Sequence, residues 1–230
     1  MFPFYDIHTH CRIRHENIIP LSSFDLTEDI IYDGLFTAGL HPWNCNKLSV
    51  EDIVDNLDKV SAIGGFKAVG EIGLDRACKS DFDLQKVVFE TQLNRAKQFG
   101  LPVIIHCVRS FSEVFRLIKK IGFDKPFIVH GFHGNGQTAK QIVDAGGYTS
   151  FGKHLAFHRN TIESFKKLPP ERIFFETDTA DFLVTIMYKT ASELTGKSVE
   201  FWKETVFDNF IRVFDTKDNR NDTTGLIISA

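Results

Sequence analysis

The sequence predicts an α/β protein folded as a distorted (β/α)₈ (TIM) barrel whose first units are trimmed. Eight short apolar runs, rich in β-branched and aromatic residues, recur along the chain, each followed by polar or glycine-containing turn residues. Helical patterns lie between the later runs, and this alternation favours a parallel sheet. Eight strands in a chain of 230 residues favour closure into a barrel over an open sheet.

The predicted strands cover residues 4–7, 18–21, 35–40, 67–72, 102–105, 127–129, 148–151 and 172–175. Between His10 and Ile18 there is no room for the crossover helix that a parallel neighbour normally requires. We therefore expect loops in place of full helical connections in the first barrel units.

Two later segments show clear helical patterns. Phe89, Leu93 and Ala96 share one face, and the helix that follows the fifth strand begins where Ser110 and Glu113 have the spacing of a capping box. After Asp178, two further helices are expected to close the side of the barrel, the second behind a Ser198 cap.

Composition sets the class of protein. With 43% hydrophobic residues, the chain can bury the core of a single domain, predicted at 1–215, with a flexible tail at 216–230. The net charge of -3 excludes a broad basic surface for gripping nucleic acid, so any such contact is local. A monomer is favoured.

The cellular setting is predicted from cysteines and apolar runs. The four cysteines form no CxxC pair, and no signal-like stretch follows Met1, which together indicate a cytoplasmic protein. No apolar run approaches the ~20 residues that cross a bilayer, so no membrane partner is expected.

The chemistry starts with an HxH pair. In a strand, residues two apart point to the same face, so His8 and His10 would both face the mouth of a barrel. Taken alone, such a pair is weak evidence for a metal, because two histidines are often only hydrogen-bonded surface residues.

The other candidates strengthen the metal prediction because each follows, or closes, an apolar strand. The carboxyl ends of barrel strands converge on one face, so groups far apart in sequence become neighbours there. The predicted ligands are His8, His10, Glu71, His106, His130 and Asp178. Imidazole and carboxylate together suit divalent Zn²⁺ or Mn²⁺, with Mg²⁺ less natural in so imidazole-rich a shell.

With these motifs in order, the chain resembles the TatD-type metal-dependent deoxyribonucleases, within the amidohydrolase-like metallo-dependent hydrolase barrels. The resemblance covers most of the chain. Its motifs are Asp6-x-His8-x-His10, Gly39-Leu-His41-Pro42, Gly70-Glu-Ile-Gly-Leu-Asp75, Pro102-Val-Ile-Ile-His106, His130-Gly-Phe-His-Gly134, Glu176-Thr-Asp178 and the ending 209–214.

The resemblance implies two divalent metal ions. One would be held by His8, His10, Glu71 and Asp178, and the other by Glu71, His106 and His130, with Glu71 as the bridge. It also implies a hydrolase of ester bonds acting on a phosphoester or DNA end, with a 3'-to-5' exonuclease as one form. Asp178 would be both a ligand and the group that orients or deprotonates the attacking water, so Asp178 and Glu71 are the predicted catalytic residues.

Four further residues are candidates for substrate binding. His41 is expected in the pocket wall or, alternatively, as a packed histidine before Pro42. Arg109 would clamp a phosphate or else cap a helix start. His133 and Lys153 lie on loops after the sixth and seventh strands and would face a phosphate.

Two other functions remain open from the sequence. An amidohydrolase would cut a cyclic amide or lactone with the same metals, but such enzymes often bridge their metals with a modified lysine, whereas the bridging candidate here is Glu71. A non-catalytic metal-binding protein would have a complete ligand sphere closed to solvent.

Overall fold

The protein is a barrel of eight parallel strands that follow one another in chain order around the sheet. A computed structural model describes residues 2–30 and 34–214. The strands are β1 (Phe4–Thr9), β2 (Ile18–Asp25), β3 (Phe36–Gly39), β4 (Phe66–Asp75), β5 (Val103–Val108), β6 (Phe127–Val129), β7 (Tyr148–Phe151) and β8 (Ile173–Phe175). All eight predicted strands, and the barrel itself, are confirmed.

Four strands run further than the apolar pattern predicted. β1, β2, β4 and β5 continue at their carboxyl ends through polar, histidine or glycine residues. An apolar pattern marks only the part of a strand that packs against the surrounding helices and the barrel core. The polar extensions line the mouth of the barrel, where the candidate site lies.

Within the part of the chain that the structure describes, seven α-helices surround the strands. They are α1 (Val50–Ser61), α2 (Phe82–Phe99), α3 (Phe111–Ile121), α4 (Gly136–Asp144), α5 (Arg159–Lys167), α6 (Thr185–Thr195) and α7 (Val199–Phe214). Among the described residues, none forms a helix between β1 and β2 or between β2 and β3, as the short spacing predicted. Within the described ranges, no helix is long and apolar enough to cross a membrane. The tail predicted at 216–230 lies outside the described residues.

The predicted helix caps fare differently. The Ser198 hydroxyl accepts a hydrogen bond from the Phe201 amide at 3.1 Å, so this cap is confirmed. The capping box expected at Ser110 is wrong, because its hydroxyl donates to the Val108 carbonyl at 2.8 Å. Arg109 adopts a φ of 52°, and this left-handed turn directs the Ser110 side chain back toward the strand instead of onto the helix.

Two aromatic contacts attach the last helices to the open side of the barrel. The Tyr188 hydroxyl of α6 accepts from the Tyr5 amide at 3.0 Å and donates to the Tyr5 carbonyl at 2.9 Å. Trp202 of α7 is almost wholly buried and packs against Phe165 and Phe175. The two helices therefore cover the junction of β1 and β8, as expected for elements that close the barrel.

The seam between β1 and β8 is made beyond the regular part of β8. The Asp178 amide donates to the His8 carbonyl at 2.9 Å, and the His10 amide donates to the Asp178 carbonyl at 3.0 Å. Behind them, the buried Asp6 carboxylate accepts from the Thr177 amide at 3.0 Å and lies 2.6 Å from the Thr177 hydroxyl. A side chain thus replaces part of the strand ladder at the closure.

Asp6 predicts an unusual pH dependence of stability. Burial raises the pKa of Asp6 from 3.8 to about 7, although its hydrogen bonds to Thr177 work in the opposite direction. Because the folded pKa lies above the unfolded value, folding takes up a proton between these limits, and this carboxyl destabilises the protein increasingly as the pH rises from about 4 to about 7.

We therefore expect Asp6→Asn to become more stable relative to the wild type across that range, by about 1.4 kcal/mol for each pH unit. An asparagine can accept from the Thr177 amide and donate to its hydroxyl, so both contacts survive. Urea unfolding of chelator-treated protein from pH 4 to pH 8 measures the difference, with exposed Asp124→Asn as the control. A difference that stays constant with pH would contradict the prediction.

Candidate functional site

Six predicted ligand side chains come together at the mouth of the barrel. His8 lies on β1 and His10 just after it, Glu71 lies on β4, and His106 lies on β5. His130 directly follows β6, and Asp178 comes shortly after β8. The carboxyl ends of the parallel strands bring them to one face.

Glu71 lies inside β4 and not at its end, where the apolar pattern had placed it. The pairing of β4 with β5 shifts register between Val69 and Ile72, and such irregularities re-aim side chains. Gly73 permits the close approach of the two strands, because it has a φ of 151° and a Cβ there would lie 1.9 Å from the His106 carbonyl oxygen.

One carboxylate oxygen of Glu71 faces three histidines. Oε1 lies 2.7 Å from His130 Nε2, 2.9 Å from His106 Nδ1 and 3.1 Å from His41 Nε2. His41 was predicted only as a pocket-wall or packed residue, and the structure places its ring nitrogen against the same carboxylate as the predicted ligands.

The other oxygen of Glu71 faces the HxH pair. Oε2 lies 3.3 Å from His8 Nε2 and 3.6 Å from His10 Nε2. Asp178 approaches the same two nitrogens from the seam, with Oδ1 at 3.8 Å from His8 Nε2 and 3.7 Å from His10 Nε2. The Glu71 carboxylate thus stands between two groups of imidazoles.

The carboxylates and imidazoles of the cluster favour the ionised forms of one another. Burial alone would raise the pKa of Glu71, but His130, His10 and His106 outweigh it and hold the pKa well below its ordinary value. Burial likewise opposes protonation of His130, but Glu71 and Glu176 raise the pKa of its imidazole well above the usual range. Without a metal, the carboxylate is therefore ionised, and the protonated imidazole of His130 supplies counter-charge.

Three sets of donor atoms lie within 4.8 Å of one another in arrangements that suit a metal ion: His8 with His10 and Asp178, His8 with Glu71 and His130, and His41 with Glu71 and His106. All six predicted ligands belong to these sets. His41 is the addition. It follows β3, so the strand-end reasoning that selected the other ligands applied to it equally.

The chemistry of the cluster fits a divalent cation. Among the described residues, neither ring nitrogen of His8 makes a well-aligned hydrogen bond, although the residue is fully buried and its Nε2 lies 3.3 Å from Glu71 Oε2. A buried polar atom without a partner is costly. A cation at the lone pair of His8 Nε2 would relieve one of these costs, and imidazole with carboxylate is a donor set for Zn²⁺ or Mn²⁺.

Two buried carboxylates hold the histidines from behind. Asp75 Oδ2 lies 3.2 Å from His106 Nε2, and Glu176 Oε1 lies 3.5 Å from His130 Nδ1 while accepting from the Gly131 amide at 2.7 Å. Asp75 is only 3% exposed, so its carboxylate is shielded from solvent behind His106. Such partners fix the orientation of metal-binding imidazoles.

A cavity of about 190 Å³ opens beside the cluster. Its wall includes His106, His130 and Asp178, together with His133 and Lys153 from the loops after β6 and β7. Both of the latter were predicted to face a phosphate, and the structure places them in reach of the cluster.

A second cavity, of about 230 Å³, adjoins the first through His130 and His133 and is lined by Arg109. Arg109 therefore lines the second cavity and not the first.

His154 was not identified from the sequence. It lines the first cavity, and its ring centroid lies 5.0 Å from that of His133. Its only sequence signal was proximity to Lys153.

The chain is similar to known proteins over most of its length. The family model described as TatD related DNase matches residues 21–215. An uncharacterized metal-dependent hydrolase of Haemophilus influenzae is 32% identical over 208 residues, which cover 78% of this chain and 76% of that protein. The deoxyribonuclease Tat-D of Schizosaccharomyces pombe is 28% identical over 62% of this chain and 50% of its own length.

Solved structures share the fold. The TatD homologue YjjV of Escherichia coli superposes with a TM-score of 0.78 at 23% identity, covering 93% of this chain and 98% of that one. An uncharacterized amidohydrolase of Saccharomyces cerevisiae has a TM-score of 0.75 at 13% identity, covering 93% of this chain and all of that one. At these identities the likeness shows the barrel alone.

Proposed function

Because the chain belongs to the TatD-related DNase family of metal-dependent hydrolases, we propose that it hydrolyses phosphoester bonds, with DNA ends as its substrate. The observation that carries the proposal is the Glu71 carboxylate, whose two oxygens face two different groups of imidazoles. This is the arrangement that a bridging ligand of two cations requires.

The predicted ligand division fits these contacts. His8, His10, Glu71 and Asp178 would hold one divalent ion, and Glu71, His106 and His130 the other, with His41 as an additional donor on the second side. When bound, the ions would lower the pKa of a water molecule and stabilise the charge that develops on the phosphoester. Zn²⁺ and Mn²⁺ suit the imidazoles better than Mg²⁺ does.

Asp178 is proposed as the proton acceptor. Its side chain is 38% exposed and lines the cavity, whereas the bridging Glu71 is buried. A carboxylate in this position can take a proton from an attacking water and later give it to the leaving oxygen. The neighbouring histidines cannot, because their inward nitrogens face Glu71.

His133 and Lys153 would bind the phosphate that enters the cavity, and the His154 ring lies in the same wall. Arg109 is assigned to the next phosphate along a chain, because it lines the adjoining cavity. A polymer end would fit the two cavities better than a single small phosphoester would.

The decisive assay uses chelator-stripped protein reconstituted with Zn²⁺, Mn²⁺ or Mg²⁺. We expect cleavage of single-stranded DNA and bis(p-nitrophenyl) phosphate, with labelled ends reporting the polarity. Turnover of cyclic amides or lactones alone would favour an amidohydrolase. Metal binding without any turnover would indicate a non-catalytic protein, although the partial exposure of His10 and Asp178 argues for a site open to substrate.

Lys153→Gln should weaken phosphate binding without affecting chemistry. Lys153 is exposed, so we expect KM for DNA to rise roughly two- to fivefold, in line with the modest strength of exposed charge pairs. The effect should shrink at high salt because the ions screen it. Steady-state kinetics measure it, with exposed Lys166→Gln on α5 as the control. Equal KM values for the two variants would remove Lys153 from the phosphate site.

A further inference from the structure

Trp43 is a large aromatic side chain that is both exposed and held in place. It lies in the 3₁₀ turn Pro42–Asn44 directly after β3, and 60% of the residue is open to solvent. Its indole N–H nevertheless donates to the buried Asp75 carboxylate at 2.7 Å. One edge of the ring is thus fixed, while most of its surface remains in water.

The indole adjoins the candidate metal ligands. Its ring centroid lies 4.8 Å from that of His41 and 6.1 Å from that of His106, and both imidazoles are nearly perpendicular to it. Each of these histidines contacts Oε1 of Glu71. A molecule that packs on the indole would therefore be separated from the proposed site of hydrolysis by about the width of one imidazole ring.

The chain buries its other tryptophan almost completely, since Trp202 is 1% exposed. Leaving an indole in water forgoes the favourable transfer of its apolar surface, and holding it in one rotamer adds an entropic cost. A planar ligand that covers the indole would remove its apolar surface from water. Because the ring is already oriented, the ligand would not have to order it on binding.

The position of Trp43 relative to the basic cavity identifies the kind of ligand. His133 and Lys153 line the cavity on the β6 and β7 side of His106, whereas Trp43 approaches His106 from the β3 side. A molecule that spans the cluster would meet an aromatic surface at one end and the Lys153 ammonium, beside His133, at the other. A nucleotide, with its planar base beside its phosphate, has this pattern.

We propose that Trp43 stacks on the nucleobase beside the scissile phosphoester, so that the enzyme selects nucleic-acid ends that carry an intact base. This inference rests on the proposed function, since it names the part of the substrate that the site reads. Stacking on an indole is tolerant of sequence because every base has a π-face.

Fluorescence tests the contact directly. The chain has two tryptophans, so Trp202→Phe leaves Trp43 as the only indole. In that protein, dAMP should quench the emission saturably, whereas deoxyribose 5-phosphate, which lacks the base, should not. Equal responses to the two compounds would overturn the inference.

Two variants distinguish stacking of a base on Trp43 from an indirect role in which Trp43 only positions Asp75. Trp43→Phe keeps an aromatic face but loses the N–H donor, and Trp43→Ala loses both. We expect Trp43→Ala to weaken dAMP binding roughly 5- to 100-fold in calorimetry, the range of a base–aromatic stack, while Trp43→Phe retains most of it. Equal losses in the two variants would show that the indole only positions Asp75 and His106, and would overturn the inference.

Cleavage supplies an independent readout. The wild type should cleave an oligonucleotide with a terminal base faster than the same oligonucleotide with a terminal abasic residue, and Trp43→Ala should lose this preference. Equal rates in the wild type would contradict the inference while leaving phosphoester hydrolysis intact. A protein that binds dAMP through Trp43 but cleaves no phosphoester would retain base stacking by Trp43 and overturn the proposed function.

Discussion

Glu71→Gln is expected to abolish nearly all hydrolysis and most metal binding. The amide has the size of the carboxylate but lacks its charge, and one end of it would present N–H groups to imidazole nitrogens or a cation. Because both oxygens of Glu71 face imidazoles, the substitution alters both groups of candidate ligands at once. We expect kcat/KM to fall by about 10³-fold or more, the scale seen when a group that stabilises transition-state charge is lost.

Two measurements separate loss of metal from loss of fold. Metal content by mass spectrometry should drop, and the metal-dependent gain in unfolding free energy should shrink. For the wild type this gain is about 2.7 kcal/mol when the free metal is 100 times its Kd. Exposed Glu204→Gln on α7 is the matched control. Wild-type metal content in Glu71→Gln would contradict the bridging role.

Asp178→Asn is expected to reduce kcat about 10²- to 10⁴-fold, the contribution of a positioned general base. Asn retains an oxygen for a cation but cannot accept the proton of the attacking water. The backbone should be unaffected, because Asp178 has a φ of 53° and asparagine tolerates this left-handed conformation as well as aspartate does. Alanine is a poorer choice, since it would add strain at this position.

The kinetic parameters of Asp178→Asn identify the role of Asp178. If Asp178 accepts the proton, KM should change little in Asp178→Asn while kcat falls. The nearby Asp181→Asn, at an exposed position, should match the wild type in both respects. A variant that retains more than a third of the wild-type kcat would exclude Asp178 as the proton acceptor.

The strand-end pattern was enough to find the candidate ligands that follow apolar runs. His106 and His130 come at the end of runs that could only be buried strands, and parallel topology then required them to meet. The same reasoning reached Asp178 and the HxH pair. It did not promote His41 to a ligand, because a histidine before a proline at a turn has an equally good packing explanation.

Other site features had no local signal. The contact of Trp43 with Asp75 joins the loop after β3 to the end of β4, 32 positions along the chain. His154 reaches the cavity only because the turn after β7 brings it beside His133. The failed capping box at Ser110 accompanies the left-handed conformation of Arg109, which the residue spacing did not indicate.

By itself, the sequence determined the barrel, the order of its strands and the face on which imidazoles and carboxylates collect. Hydrophobic periodicity and strand direction are local properties that the chain carries at each residue. Only the tertiary structure decided which oxygen of Glu71 meets which histidine, that His41 joins them, and that Trp43 stays exposed beside them. Those outcomes depend on register shifts and loop paths, which arise from packing between segments distant in sequence.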